Sequence, residues 1–330
     1  MYSEEDLDAA IAAGVLTPEA VHDFRAHVAA QRRTVAVDEE HVRLLSGFND
    51  IFVVIACLLL LLAVGWIGSE VLGALGLTLQ AATAWGLSEF FVLKRRMALP
   101  AIVLLLVFVG GVYLTGLALL EGHEGYDIIL AGGLASVAAW LHWRRFKVPI
   151  TVAAGMGALS VLVIGTLLQM IPAIREWVLL LVLIAGVGVF VLAMRWDFSD
   201  RVRETGRSDV AFWLHLLAAP MMIHPVFTVA AHGGEPSLGQ ALVVVGLYLL
   251  IAWVSLLIDR RALMVSALGY VLYAFSNLLK LYGVVSLGFA FTALAIGGLL
   301  LLLSAFWHGA RQGVVSRMPV GWQERLPPLR

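Results

Sequence analysis

Six polar or charged side chains lie deep inside long apolar runs: His224, Thr228, Tyr113, Gln169, Asn277 and Lys280. Such groups are expensive in hydrocarbon, so each invites a functional role. An imidazole exchanges protons near neutral pH. With hydroxyl, amide and amine neighbours it makes the wall of a proton, cation or polar-solute path. His224 lies about 15 residues into its run from Asp209, or about 22 Å at 1.5 Å per residue. Thr228 follows one turn later on the same face. Tyr113 and Asn277 fall at similar depth in their own runs, Lys280 a turn beyond Asn277, and Gln169 closer to the far edge. Pro220 and Pro225 interrupt the run that carries His224, and free the carbonyls of Leu216 and Met221. Freed carbonyls in a bilayer must face protein or water. The other role open to these groups is structural, because a lone membrane histidine often bonds a neighbouring helix and proline kinks are common there.

The remaining polar groups point to packing. His215 precedes His224 by nine residues, which sets the two on opposite faces of a straight helix and keeps them from sharing a metal. His215 and His142 lie nearer the end of their runs, where an interfacial role is expected. Glu89 is placed to snorkel or to pair locally with Lys94. Asp50 and Asp209 begin helices and offset their dipoles. Gln80 is expected to bond a neighbouring helix. Glu121-Gly122-His123-Glu124 offers two carboxylates and one imidazole on a loop, too little to define a metal site. Neither HExxH nor G-x-S-x-G occurs, and Gly155-Met156-Gly157 and Gly186-Val187-Gly188 lie inside apolar runs, so neither is a phosphate loop. No enzyme activity, metal or cofactor is expected.

The elements that must hold these groups follow from composition. Of 330 residues 61% are hydrophobic and 14% charged, where soluble domains carry about 25% charge. The apolar residues come in runs of about 20, enough to cross a hydrocarbon core of about 30 Å as a helix. A lipid-facing backbone must satisfy its own hydrogen bonds, which selects helices, and the period-two alternation of a barrel is absent. The expected fold is all-α: a polytopic transmembrane helix bundle of about ten spans behind a small N-terminal helical hairpin. The spans are expected at 48–68, 71–93, 98–120, 126–143, 148–171, 175–195, 209–231, 238–258, 262–282 and 285–307. Very short connections make successive helices antiparallel neighbours. The exception is Asp197 to Ser208, a charged loop long enough for a partner contact. The domains are the hairpin (1–47), the bundle (48–310) and a basic tail (311–330).

An N-terminus on the inner side places twenty of the 22 Lys and Arg there, in Lys94-Arg95-Arg96, Arg144-Arg145 with Lys147, Arg195 to Arg207, Arg260-Arg261 and both termini. Arg175 and Lys280 are the exceptions, and one missed span would scramble the separation. Trp140, Trp143, Trp196, Trp213 and Trp307 near the inner boundary, with Trp66 and Trp177 near the outer one, make the aromatic belt. On this topology the six deep polar groups lie on inside-to-outside helices and converge on a pocket that opens outward. A helix, a basic turn and a returning helix recur at 94–96, 144–147 and 259–261. Some transporters use such hairpin repeats, though any tight bundle obeying the charge rule produces the same spacing. Ala131, Ala135 and Ala139, and Gly65 with Gly68, are faces on which helices approach closely.

Cys57 is the single cysteine, which excludes an intrachain disulfide and a cysteine-rich metal site. At the N-terminus, Ser3 with Asp6 reads as a capping box and Gly14 as a helix stop. Thr17-Pro18-Glu19 starts a second helix. Leu7 and Ile11, then Val21, Phe24 and Val28, form an apolar stripe on each, so the hairpin is expected to rest on the bundle's inner face or on a protein partner. Nine acids against four arginines argue against nucleic acid or anionic lipid as that partner. Residues 2–8 are acidic where a secretory leader is basic, so no leader is expected. The stretch Leu7-Asp8-Ala9-Ala10-Ile11-Ala12-Ala13-Gly14-Val15-Leu16-Thr17-Pro18-Glu19-Ala20, followed by serial spans, resembles a group of bacterial predicted polytopic membrane proteins of unknown function. In that group a short cytosolic helical hairpin precedes eight or more helices. The resemblance implies a bacterial inner-membrane location. Two functions are expected: a transporter-like or lipid-handling protein with a polar cavity around His224 and a small molecule, ion or lipid as substrate, or a non-transporting scaffold or sensor that binds partners through its cytosolic segments.

Overall fold

The structure, a computed structural model, describes residues 4–24, 48–123, 125–200, 205–231, 238–261 and 305–323, with 263–264, 266–268, 271, 294, 297–298, 301 and 326. The chain divides into two compact units, residues 1–41 and 42–330. In the first unit, α1 (Glu4–Ala12) ends at Gly14, whose φ of +69° is left-handed. The Val15 N–H donates to the Ala10 carbonyl at 2.9 Å and the Gly14 N–H to Ile11 at 3.0 Å, the paired bonds of a Schellman stop. Thr17 caps α2 (18–24), its Oγ1 accepting from the Ala20 N–H at 3.1 Å. Both signals at 14 and 17 are realised, while Ser3 and Val28 lie outside the described residues.

In the second unit come α3 (Phe48–Leu72), α4 (Leu75–Ser88) with a π-helical turn (Glu89–Lys94), α5 (Ala98–Leu119), α6 (Tyr126–Phe146) and α7 (Ile150–Met170). A 3₁₀ turn (Pro172–Trp177), α8 (Val178–Ser199), α9 (Gly206–Ala231) and α10 (Leu238–Ile258) follow, then α11 (Trp307–Val315) and α12 (Val320–Gln323). The first eight expected spans each coincide with a helix, and no strand occurs among the described residues. The ninth and tenth fall almost wholly outside them. Among the described residues, five helices are long and apolar enough to cross a membrane: Asn49–Leu72, Ala98–Leu119, Ile150–Met170, Pro172–Ser199 and Gly206–Val229. That is the build of an integral membrane protein. Phe52, Leu59, Leu62 and Trp66 on α3 are all at least 60% exposed. So continuous an apolar face needs lipid or protein over it, because in water it drives aggregation.

Short turns make successive helices neighbours, with α7 also packed on α9 and α9 on α10. Small residues set how closely they approach. A Cβ at Gly76 would fall 2.1 Å from the Gly68 carbonyl carbon, and one at Gly116 would fall 2.5 Å from Ala131 Cα. Ala131, Ala135 and Ala139 are all buried. Gly65 leaves the room that Gln80 fills, and Gln80 Nε2 donates to the Leu61 carbonyl at 3.0 Å. Gln80 thus bonds the neighbouring helix, as its type and depth require.

Several boundaries depart from expectation. α3 runs on to Leu72 and turns at Gly73, whose φ is +59°. The second span is a short α-helix that widens into a π turn from Glu89. Asp197 lies in the last turn of α8 and Ser208 in the first turns of α9, so the charged loop shrinks to its middle. Trp307 and Arg311, assigned to the aromatic belt and the basic tail, are 1% and 2% exposed in α11. Phe306, just before them, stands at the N-cap position of that helix.

The α5–α6 crossing is directly testable. A methyl added at Gly116 meets backbone, whereas one at Gly110 on the same helix meets nothing within 4 Å. Gly116→Ala is expected to lower stability by about 1–3 kcal/mol and Gly110→Ala to leave it unchanged or raised. Thermal unfolding in detergent measures both.

Candidate functional site

A carboxylate at the C-terminal end of a helix opposes the helix dipole and needs a cation beside it. Asp197, in the last turn of α8, is 6% exposed. Its Oδ2 lies 2.8 Å from His215 Nε2 on α9. Arg260, just beyond α10, donates to the same carboxylate, through Nη2 to Oδ1 and through Nε to Oδ2 at 3.3 Å. Arg260 is 1% exposed and His215 fully buried. The guanidinium also donates to the Ser208 carbonyl at 3.2 Å, and Ser255 Oγ donates to the Arg260 carbonyl. Phe190 packs its ring edge-on to the His215 imidazole, centroids 5.3 Å apart.

The pattern repeats one step along the chain. Asp259, just past the C-terminal end of α10, accepts from Trp307 Nε1 at 2.9 Å and lies 3.5 Å from Arg311 Nε. The Arg261 guanidinium stacks over the Trp307 ring at 4.8 Å. Two buried aspartates, each answered by an arginine further along the chain, thereby join α8, α9, α10 and α11. Asp197 and Arg260 cancel in charge. His215 shares the same carboxylate through Nε2, the ring nitrogen whose N–H donates to Oδ2. The carboxylate ties α8 to α9 through His215 and to the end of α10 through Arg260.

His142 is a second buried imidazole. Its Nδ1 lies 3.2 Å from Thr151 Oγ1 on α7, and its ring is enclosed by Trp85, Phe108 and Phe146. Both His142 and His215 were expected at an interface, and both are fully buried. The reason is the crossing of neighbouring helices over them. Glu89 pairs with Arg145 at the end of α6, at 2.9 and 2.7 Å, in place of the local Lys94. The π turn swings it across to that helix. Asp50 is buried in the first turn of α3 and Asp209 lies in that of α9, positions that offset the dipole.

His224 and Thr228 lie one turn apart on α9, 3.5 Å between Nδ1 and Oγ1. His224 and Pro220 are exposed, Thr228 is half-buried and Pro225 is buried. His215 and His224 therefore occupy opposite faces, as their spacing requires. Tyr113 packs against the α5–α6–α7 core. Gln169 reaches over Gly125 at the start of α6, where a Cβ would fall 2.5 Å from Gln169 Oε1. Asn277, Lys280 and Glu124 lie outside the described residues. Among the described residues, no three His, Cys, Asp or Glu side chains gather as metal ligands.

Sequence reasoning missed the Asp197–His215–Arg260 cluster. The readable sign was Asp197 itself, an acid at the wrong end of a helix for the dipole. No family model, curated protein or solved structure matches the chain.

Removing one partner of a buried ion pair strands the other charge, at a cost of about 3–5 kcal/mol. Asp197→Ala and Arg260→Ala are each expected to destabilise by about that much. The double variant should lose clearly less than the sum, by about 1–3 kcal/mol. Unfolding of all three proteins against the parent, in detergent, measures the coupling.

Proposed function

We propose that this chain is a transporter-like or lipid-handling protein of a bacterial inner membrane, crossing it many times with both termini cytoplasmic. Its working element is α9, and its substrate is a small molecule, an ion or a lipid. The observation that carries this is the two-sidedness of α9. Near its start, His215 is bound to Asp197 on α8, and Arg260 beyond α10 holds the same carboxylate. Further along, around two prolines inside the helix, His224 and Thr228 present a polar pair on the other, exposed side. One end is clamped by charge and the other lacks two backbone hydrogen bonds, so bending concentrates at Pro220 and Pro225. Bending there moves His224 relative to the clamp, which is how a polar site is opened and closed across a membrane. His224 and Thr228 lie together on this face; Tyr113, packed on the α5–α6–α7 core, and Gln169, over Gly125, lie on other helices, and with Asn277 and Lys280 they are the further residues assigned to the cavity from the sequence.

A second function has its own support. Val15 and Phe24 in the N-terminal unit are 75% and 48% exposed, an apolar surface suited to a protein partner. On that ground a scaffold or sensor recruits its partner through residues 1–47.

Proteoliposomes with a trapped pH-sensitive dye and an imposed membrane potential test transport. The parent protein is expected to pass protons several-fold faster than empty liposomes, and His224→Ala to lose most of that flux. Equal flux in the parent and empty liposomes, or an unaffected His224→Ala protein, overturns the proton path. Topology is read in a Cys57→Ser background. Glu121→Cys should react with an impermeant thiol label on intact cells and Arg95→Cys should not, and the reverse pattern inverts the orientation.

A further inference from the structure

Two basic turns of the bundle share one neighbourhood. Lys94 ends the π turn of α4 and Arg95 and Arg96 follow it, while Arg144 and Arg145 lie in the last turn of α6 and Lys147 caps it; all six are exposed. The Glu89–Arg145 pair clips the turns together. Beneath them Phe146 and Val148 of one turn pack in the same apolar cluster as Val92 and Leu93 of the other. Glu89 is the one acid in either turn, so five cations remain for something outside them.

The backbone carries an independent sign. Arg96 and Lys147 have φ of +51° and +56°, a left-handed conformation that costs an L residue free energy and costs glycine little. Both turns keep a cation where glycine is the relaxed choice, and strain retained in this way marks function. The cations are also backed by aromatic rings. Lys94 and Arg95 lie 5.9 and 5.6 Å from the Phe90 centroid, Arg144 lies 4.9 Å from that of Trp140, and Lys147 lies 5.2 Å from that of Trp143. Below Arg144, the α6 surface exposes Val137, Trp140 and Leu141. A charged crown over an apolar track is complementary to one ligand chemistry, a phosphodiester joined to hydrocarbon chains.

We infer that the paired turns 94–96 and 144–147 form a binding site for an anionic phospholipid, phosphodiester against the cations and acyl chains along α6. It rests on the membrane placement proposed above and names a ligand for one surface of it. Basic clefts between membrane helices recognise anionic headgroups in this manner.

The test uses the full chain in detergent, with lipid occupancy read by native mass spectrometry. Short-chain phosphatidylglycerol, phosphatidylcholine of the same chain length and inorganic phosphate are each titrated. The parent is expected to hold phosphatidylglycerol at least about tenfold tighter than phosphatidylcholine. Arg96→Gly with Lys147→Gly relieves the backbone, so the variant folds at least as well. It should weaken phosphatidylglycerol binding by roughly fivefold per lost cation, about 25-fold in all. Arg195→Gln with Arg317→Gln removes the same charge from exposed positions elsewhere and should leave binding near the parent's. Unchanged binding in the glycine variant, equal loss in both variants, or inorganic phosphate competing as well as the lipid each overturns the site. Carbonate extraction of cell membranes reports separately on membrane placement. A chain released by carbonate sinks that placement, whereas one retained but without lipid preference sinks only the headgroup site.

Discussion

A charge taken out of water must find its opposite inside the fold, and at the basic end of this bundle it does so across helices. Asp197 and Asp259 close α8 and α10, where each opposes its own helix dipole. Arg260, just past α10, and Arg311, in α11, supply the compensation. Glu89 and Arg145 make a similar forward connection between α4 and α6, at the surface rather than in the core. Buried pairs of this kind contribute little net stability but penalise every arrangement that separates them. They fix which helix end lies beside which, a specification that lipid-facing leucines cannot provide.

That clamp gives α9 its asymmetry. Ala211, Leu214, His215, Ala218 and Phe227 are buried, while Pro220 and His224 on the other side are exposed. The buried residues tie the helix to α7, α8 and α10. The prolines then act on a helix already held at one end, so their effect is local bending rather than displacement of the whole rod. Small residues elsewhere do the complementary work. Gly68 against Gly76 and Gly116 against Ala131 bring backbones into contact, and dispersion forces in so close a fit replace the hydrophobic drive that is missing in lipid.

The three basic turns share a feature that neither packing nor charge alone explains. Arg96, Lys147 and Asp259 all adopt left-handed φ values near +55°. At Asp259 the side chain is used within the fold, by Trp307 and Arg311. At Arg96 and Lys147 the side chains are exposed, which leaves those two turns, unlike the third, open to an outside partner.

Much of the architecture was legible in the chain. Runs of apolar residues as long as the hydrocarbon is thick imposed helices over the first eight expected spans, because a backbone in lipid has no other way to satisfy its donors and acceptors. The Gly14 stop, the Thr17 cap, the Gln80 contact and the opposite faces of His215 and His224 were legible too, since each depends only on local geometry or depth. What remained hidden were the partners. Asp197 and Arg260 are 63 positions apart, Glu89 and Arg145 are 56 apart, and no periodicity relates them. Trp307 looked like a belt residue and Arg311 like a tail residue until α11 folded back onto Asp259. The sequence by itself determined that these helices form and roughly where they end, because a single segment carries that information. Which charges meet, and which histidine is locked away, only the tertiary structure decided, because pairing is a property of two segments brought together.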